Sequence, residues 1–163
     1  MKWTEFFFPT ALVWVSQLLF VDLFSIGTIR PDFLLILVIY YSISNGRFFG
    51  TALGFLLGLL IDISGAALFF GLSPLTYTIT GYLAGNLKGL YNNISPIYFM
   101  IFWILILFFH FFIFCLVVYQ DIWVIDKNMF FARWIGTSIY TISFIMILQF
   151  VYPFNKLKNV KSR

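Results

Sequence analysis

Glycine recurs at every fourth position along residues 46–62, a stretch that ends on Asp62. The glycines concerned are Gly46, Gly50, Gly54 and Gly58. In water, each glycine inside a helix costs about 1 kcal/mol relative to alanine. In lipid, by contrast, helices associate by close backbone approach at small residues. The stretch therefore predicts a closely packed membrane helix. Because residues four apart drift by about 40° around a helix, we expect glycines near Gly50 and Gly58 to face different neighbours, either within the bundle or on a partner.

The composition is too apolar for a soluble domain. Of the 163 residues, 62% are hydrophobic and 10% are charged, against about 25% charged in a typical globular domain, and the mean hydropathy is +0.99. The charges cluster at the ends of apolar runs, which leaves no polar segment long enough for a second domain. We predict one membrane domain over residues 1–163. The net charge of +4 comes from scattered basic residues with no continuous basic face, which argues against nucleic acid as a partner.

Six apolar runs are candidate transmembrane helices. They cover residues 6–24, 31–44, 47–63, 66–87, 96–119 and 130–152, and a basic tail follows at 153–163. The second run reaches only about 21 Å, so it must be buried among other helices, thin the bilayer locally or turn back. Asn45-Gly46 predicts a turn after it. Two spans with Arg47 at the cytoplasmic surface are favoured over a re-entrant hairpin, because an arginine at the bilayer midplane is costly.

The basic residues orient this array of helices. With both termini in the cytoplasm, the inner ends carry seven of them, namely Lys2, Arg47, Lys88, Lys156, Lys158, Lys161 and Arg163. The outer ends carry three, namely Arg30, Lys127 and Arg133. This difference follows the positive-inside rule. We therefore predict a multi-pass, all-α integral membrane protein with six transmembrane helices and cytoplasmic N- and C-termini.

Four charged residues collect at the outer ends of the first three helices. This outer-end polar cluster consists of Asp22, Arg30, Asp32 and Asp62. Asp32 follows a proline and is suited to a helix start, where an acid is favourable. Asp62 is different, because a carboxylate at a helix C-terminus opposes the helix dipole and needs a partner or a proton. One hypothesis is that Asp62 accepts hydrogen bonds from Arg30, and the other is that it lies in interfacial water.

No group of residues in the sequence indicates catalysis. The chain shows no nucleophile with its base, no metal-ligand cluster and no phosphate-binding loop, so we predict no enzymatic activity, no cofactor and no metal. His110 lies in a phenylalanine-rich run with no carboxylate within one turn, which favours a hydrogen-bonded structural histidine over a proton relay. The fourth run is the most polar, and we expect other helices to enclose it.

Several short elements resemble the bacterial rod-shape-determining MreD family. They are Pro31-Asp32-Phe33-Leu34-Leu35, the glycines leading into Gly58-Leu59-Leu60-Ile61-Asp62-Ile63, Gly71-Leu72, and Gly81-Tyr82-Leu83-Ala84-Gly85. Size, hydropathy and basic inner ends agree over the whole chain, whereas the specific residues cover only about residues 30–88. The small residues on the two helices are the predicted positions of helix packing or partner contact, namely Gly50, Gly54, Gly58, Gly81 and Gly85.

The resemblance implies a non-enzymatic scaffold subunit of the cell-elongation complex in the bacterial inner membrane, which helps to control lateral peptidoglycan synthesis and rod shape. The implied partners are MreC and, through the complex, MreB and the elongation glycosyltransferase and transpeptidase. The implied fold is similar to the substrate-binding subunits of energy-coupling-factor transporters. The alternative function is therefore a substrate-binding subunit of a vitamin or micronutrient transporter. We expect no small-molecule substrate, because few external polar groups are placed to hold one.

Overall fold

A computed structural model describes residues 3–21, 23–27, 29–65, 69–90 and 93–151. Within these residues the regular structure consists of seven helices: α1 (Trp3–Phe20), α2 (Phe33–Asn45), α3 (Arg47–Ile63), α4 (Leu72–Gly85), α5 (Pro96–Val118), α6 (Gln120–Ile125) and α7 (Lys127–Val151). The prediction of an all-helical chain is confirmed for this part. Lys2, Asp22 and the basic tail at 153–163 lie outside the described residues.

Helix α2 lies in the middle of the core. Its side chains Leu34, Leu35, Val38 and Ile39 are each 0% exposed, and it packs against α1, α3, α4 and α7. The sequence left three possibilities for this short helix, and burial among other helices is the one that the structure shows. A helix that is apolar all round is expected to be enclosed in this way.

The turn predicted at Asn45-Gly46 connects α2 to α3. Gly46 has φ 98°, a left-handed conformation that glycine adopts without steric cost. Lys88, which follows α4, donates from Nζ to the carbonyl oxygen of Asn45 at 2.8 Å. Asn45 is the last residue of α2, and a positive charge is favourable at the C-terminus of a helix. The α2–α3 turn and the end of α4 therefore share one end of the bundle, here called the inner end. The opposite end is the outer end.

Several predicted boundaries differ from the helices, including the first run at 6–24, which the structure describes as α1, Trp3–Phe20. The fourth run was expected from residue 66, but α4 begins at Leu72. Gly71 has φ 92°, a left-handed conformation that a regular α-helix cannot contain. The connection between the fifth and sixth runs contains the short helix α6, and α7 begins at Lys127 rather than residue 130. Asp126 explains the start of α7, because its Oδ1 accepts from the backbone N–H groups of Asn128 at 2.9 Å and Met129 at 3.2 Å, as an N-cap residue does.

Two helices in the described part of the chain are long and apolar enough to cross a bilayer, Pro96–Val118 and Lys127–Phe150. They also present many exposed apolar side chains, as a lipid-facing helix does. Helices α2, α3 and α4 have 13, 17 and 14 residues, which is short of the roughly 20 that a perpendicular span needs. The arrangement of six spans stays a prediction.

Candidate functional site

Helices α3 and α4 meet backbone to backbone along the glycine line. A Cβ atom added at Gly50 would overlap the carbonyl oxygen of Gly81, and one added at Gly54 would overlap the carbonyl oxygen of Tyr77. Both obstacles belong to the backbone, so a neighbouring side chain cannot make room by changing rotamer. The contact is the close approach that small residues permit between membrane helices.

The same contact extends to both ends of α3. A Cβ atom at Gly58 would lie 2.5 Å from Cα of Pro74, and one at Gly85 would lie 2.5 Å from Cα of Arg47. All the glycines within α3 therefore meet α4, and a Cβ atom at Gly50 would also overlap Oγ of Ser42 on α2, so the glycine line contacts two helices, as its drift predicts. A row of residues four apart is inclined to the helix axis. A second helix that crosses α3 at an angle can therefore contact the whole row of glycines, although the row drifts around α3.

Asp62 binds the start of α4 rather than an arginine. Its Oδ2 accepts from the backbone N–H of Gly71 at 2.5 Å, while Oδ1 is buried with no hydrogen bond from the described residues. The hypothesis of a pair with Arg30 is therefore wrong, as is the alternative of interfacial water, since the side chain is only 7% exposed. The carboxylate opposes the dipole of α3, but it lies at the favourable N-terminal end of α4.

Asp32 and Gln17 together join three helices at the outer end. Its Oδ1 accepts from the backbone N–H of Leu35 at 2.9 Å, which caps α2. Its Oδ2 accepts from the hydroxyl of Tyr77 on α4 at 2.5 Å. Beside it, Gln17 of α1 accepts through Oε1 from the N–H of Phe33 at 2.9 Å. The start of α2 is thus fixed to both α1 and α4.

His110 of α5 is buried and hydrogen-bonded to α4. Its Nδ1 lies 2.8 Å from Oγ1 of Thr80. The hydroxyl of Thr80 also lies 2.8 Å from the carbonyl oxygen of Thr76, and when it donates its one proton there, His110 is the donor in the contact with Thr80. The neutral ring then carries its proton on Nδ1, and Nε2 is an acceptor. The prediction of a hydrogen-bonded structural histidine is confirmed.

A cavity of about 630 Å³ opens at the outer end, between α1, α2, α4 and α5. Its polar wall includes Gln17, Arg30, Asp32, Tyr77 and His110, and its apolar wall includes Trp14, Leu34, Leu72, Phe111 and Phe114. The expectation that few polar groups would be placed to hold a ligand is therefore wrong. Among the described residues, no group of three or more His, Cys, Asp or Glu side chains could hold a metal ion.

Comparison with known protein families decides what kind of protein this is. The model of the family described as rod shape-determining protein MreD matches residues 2–160, nearly the whole chain. The chain belongs to the MreD family. Members act in the rod-shape system with MreC and MreB, are membrane-associated, and form a shape-determining family that is not a known enzyme family. No curated protein and no solved structure matches the chain.

In this MreD-family chain, the two carboxylates of the outer-end polar cluster that the structure describes bond to different helix starts. Asp32 and the exposed Arg30 both line the cavity, whereas Asp62 is not among the residues that line it and bonds to the α3–α4 connection. Asp22 lies outside the described residues. Among the residues that can be placed, Asp32 therefore bonds at the start of α2 and Asp62 at the start of α4.

Sequence reasoning missed Tyr77 and the role of the face on which it lies. The polar residues Ser73, Thr76, Tyr77 and Thr80 of α4 are all buried. Their spacing of three and four places them on one face of the helix. This stripe was the available signal, because polar residues on one face of an apolar bundle need internal partners. Their partners on α2 and α5 could not be read from the sequence, since they depend on how the helices are rotated against each other.

Proposed function

We propose that the chain is a non-enzymatic scaffold subunit of the bacterial cell-elongation complex, which binds MreC and helps to control lateral peptidoglycan synthesis. The observation that carries this proposal is the family match over residues 2–160. It covers nearly the whole chain, and therefore favours the rod-shape role over a transporter subunit. MreB and the elongation glycosyltransferase and transpeptidase are then indirect partners, and the inner membrane is the location.

The geometry supports a scaffold whose partner binds an outward-facing surface. The backbone contact with α4 already fills the glycine line of α3, so this line is not available to a helix of MreC. The apolar side chains that face outward are available, since residues such as Phe55 and Leu56 on α3 are half exposed or more. On this proposal the glycines hold the scaffold in shape, and MreC contacts other residues.

Copurification tests the proposal. The tagged chain is isolated from its own cells in mild detergent, and the bound proteins are identified by mass spectrometry. We expect MreC in the eluate, at a level unchanged by Asp121→Asn at an exposed position of α6. If MreC is absent while the chain elutes as a monodisperse, folded protein, the proposal fails.

A further inference from the structure

We propose that the outer-end cavity is a binding site for a small amphipathic molecule that presents a hydroxyl or amine donor to Asp32 and His110. This inference goes beyond the scaffold function, since a scaffold of packed helices needs no internal ligand site. It rests on the cavity and on the direction of the hydrogen bonds around it.

Two acceptors on the polar wall of the cavity, the carboxylate of Asp32 and the ring of His110, have capacity for a ligand. The proton of Tyr77 is donated to Asp32, and each carboxylate oxygen of Asp32 receives a single hydrogen bond. A carboxylate accepts about four hydrogen bonds, so Asp32 has capacity left. The Nδ1–H of His110 is directed at Thr80, and its Nε2 has no hydrogen bond from the part of the chain described. A ligand that supplies donors therefore matches these two groups.

Arg30 and Gln17 add donors to this wall, as do the hydroxyl side chains of Ser73 and Tyr119, which also line the cavity. Arg30 is exposed and lies at the edge of the cavity, where it provides donors near the mouth. Gln17 uses Oε1 for the N–H of Phe33 and Nε2 for the carbonyl of Pro31 at 3.4 Å. The inner wall consequently retains one carboxylate and one imidazole lone pair as its open acceptors, which favours a neutral or cationic donor over an anion.

The remaining wall fits an apolar body. Rings of Trp14, Phe111 and Phe114 and the side chains of Leu34 and Leu72 line it. The volume of about 630 Å³ falls within the range of about 300–1,000 Å³ that small-molecule sites occupy. Aromatic walls beside a carboxylate also suit an amine, because ring faces attract cations. A plain acyl chain is disfavoured, because it would leave the acceptors without partners.

Three probes with the same indole body distinguish the chemistry. Tryptophol carries a hydroxyl, tryptamine an ammonium and indole-3-acetate a carboxylate, and each is measured by equilibrium dialysis against the purified full-length protein in detergent. We expect saturable binding of tryptophol or tryptamine at one site per chain, and binding of indole-3-acetate weaker by about tenfold. Stronger binding of tryptamine than of tryptophol would identify an amine site. If neither donor binds saturably, the cavity holds only water and the proposal is overturned.

Asp32→Asn tests the position of the site. Asparagine caps helices as well as aspartate does, so α2 keeps its start while the carboxylate charge is lost. We expect the affinity for the donor probe that binds to fall by about tenfold. The matched control is Asp121→Asn at an exposed position of α6, which should bind as the unmodified chain does. Equal affinities in the two variants would place the probe elsewhere and overturn the proposal.

A labelling experiment on the unmodified chain keeps the proposal testable if the Asp32 variant does not fold. A photoreactive azido derivative of tryptamine is crosslinked to the protein, and the modified peptides are mapped by mass spectrometry. We expect labels on the part of α5 that lines the cavity, from His110 to Val118. Labels confined to the exposed face of α7 would contradict the site. None of these measurements requires MreC, so they succeed or fail independently of the scaffold proposal.

Discussion

At Gly54 the missing side chain lets the backbone of α3 reach the carbonyl of Tyr77. A larger residue there must push the two helices apart, since both sides of the contact are backbone. In a soluble helix, replacing glycine would gain about 1 kcal/mol of helix propensity. Here the overlap outweighs that gain, because overpacking a tight contact costs about 1–3 kcal/mol.

Gly54→Leu should therefore lower the free energy of unfolding by about 2 kcal/mol. The measurement is the denaturation midpoint of the purified protein in detergent. Ala52→Leu is the matched control, because it adds the same side chain at an exposed position of α3, and it should leave the midpoint unchanged. Equal midpoints for Gly54→Leu and the unmodified chain would show that α3 and α4 do not meet along the glycine line.

Asp62 supports the start of α4 through the N–H of Gly71. Asp62→Ala should cost about 1 kcal/mol of stability, the usual effect of removing a carboxylate that accepts from a helix start. Asp62→Asn keeps an oxygen that can accept from Gly71 and should cost less. Thermal unfolding of both variants checks this order. Equal losses for Asn and Ala would indicate that the negative charge, rather than the hydrogen bond, is what α4 requires.

At the scale of the helices, the sequence predicted where helices begin and end better than it predicted which side chains join them. The range predicted for the third helix agrees with α3, Arg47–Ile63, and Pro31-Asp32 correctly marked the start of α2. Those signals are local to the chain. The contact between Asp32 and Tyr77 joins residues 45 positions apart, and the left-handed Gly71 that receives Asp62 is a feature of tertiary geometry. Neither could be derived from spacing alone.

The contact between α2 and α4 at Tyr77 can be tested by removing one oxygen atom. Tyr77→Phe should lower the free energy of unfolding by about 1–2 kcal/mol, because a buried carboxylate loses a hydrogen-bond donor. Tyr82→Phe makes the same chemical change at an exposed position of the same helix, and it should have no effect. The two midpoints are compared in one detergent. Equal losses in both variants would contradict the contact with Asp32.

For the whole molecule, the charge distribution predicts that α6 is outside the cell and that the end of α4 is inside. Single cysteines at Val124 and at Asn86, both exposed, can be compared after Cys115 is replaced by alanine. A membrane-impermeant maleimide should label Val124→Cys in intact cells and Asn86→Cys only after permeabilisation. Labelling of both positions in intact cells, or the reverse pattern, would contradict the six-span orientation.

Cell shape tests most directly the claim that this MreD-family chain maintains rod form. The chain is depleted in its own cells, and the ratio of cell length to width is measured by microscopy before and after re-expression. We predict that depletion turns rods into round cells and that re-expression of the chain restores the original ratio of cell length to width. Cells that keep their ratio after the chain has disappeared from the membrane would contradict the account.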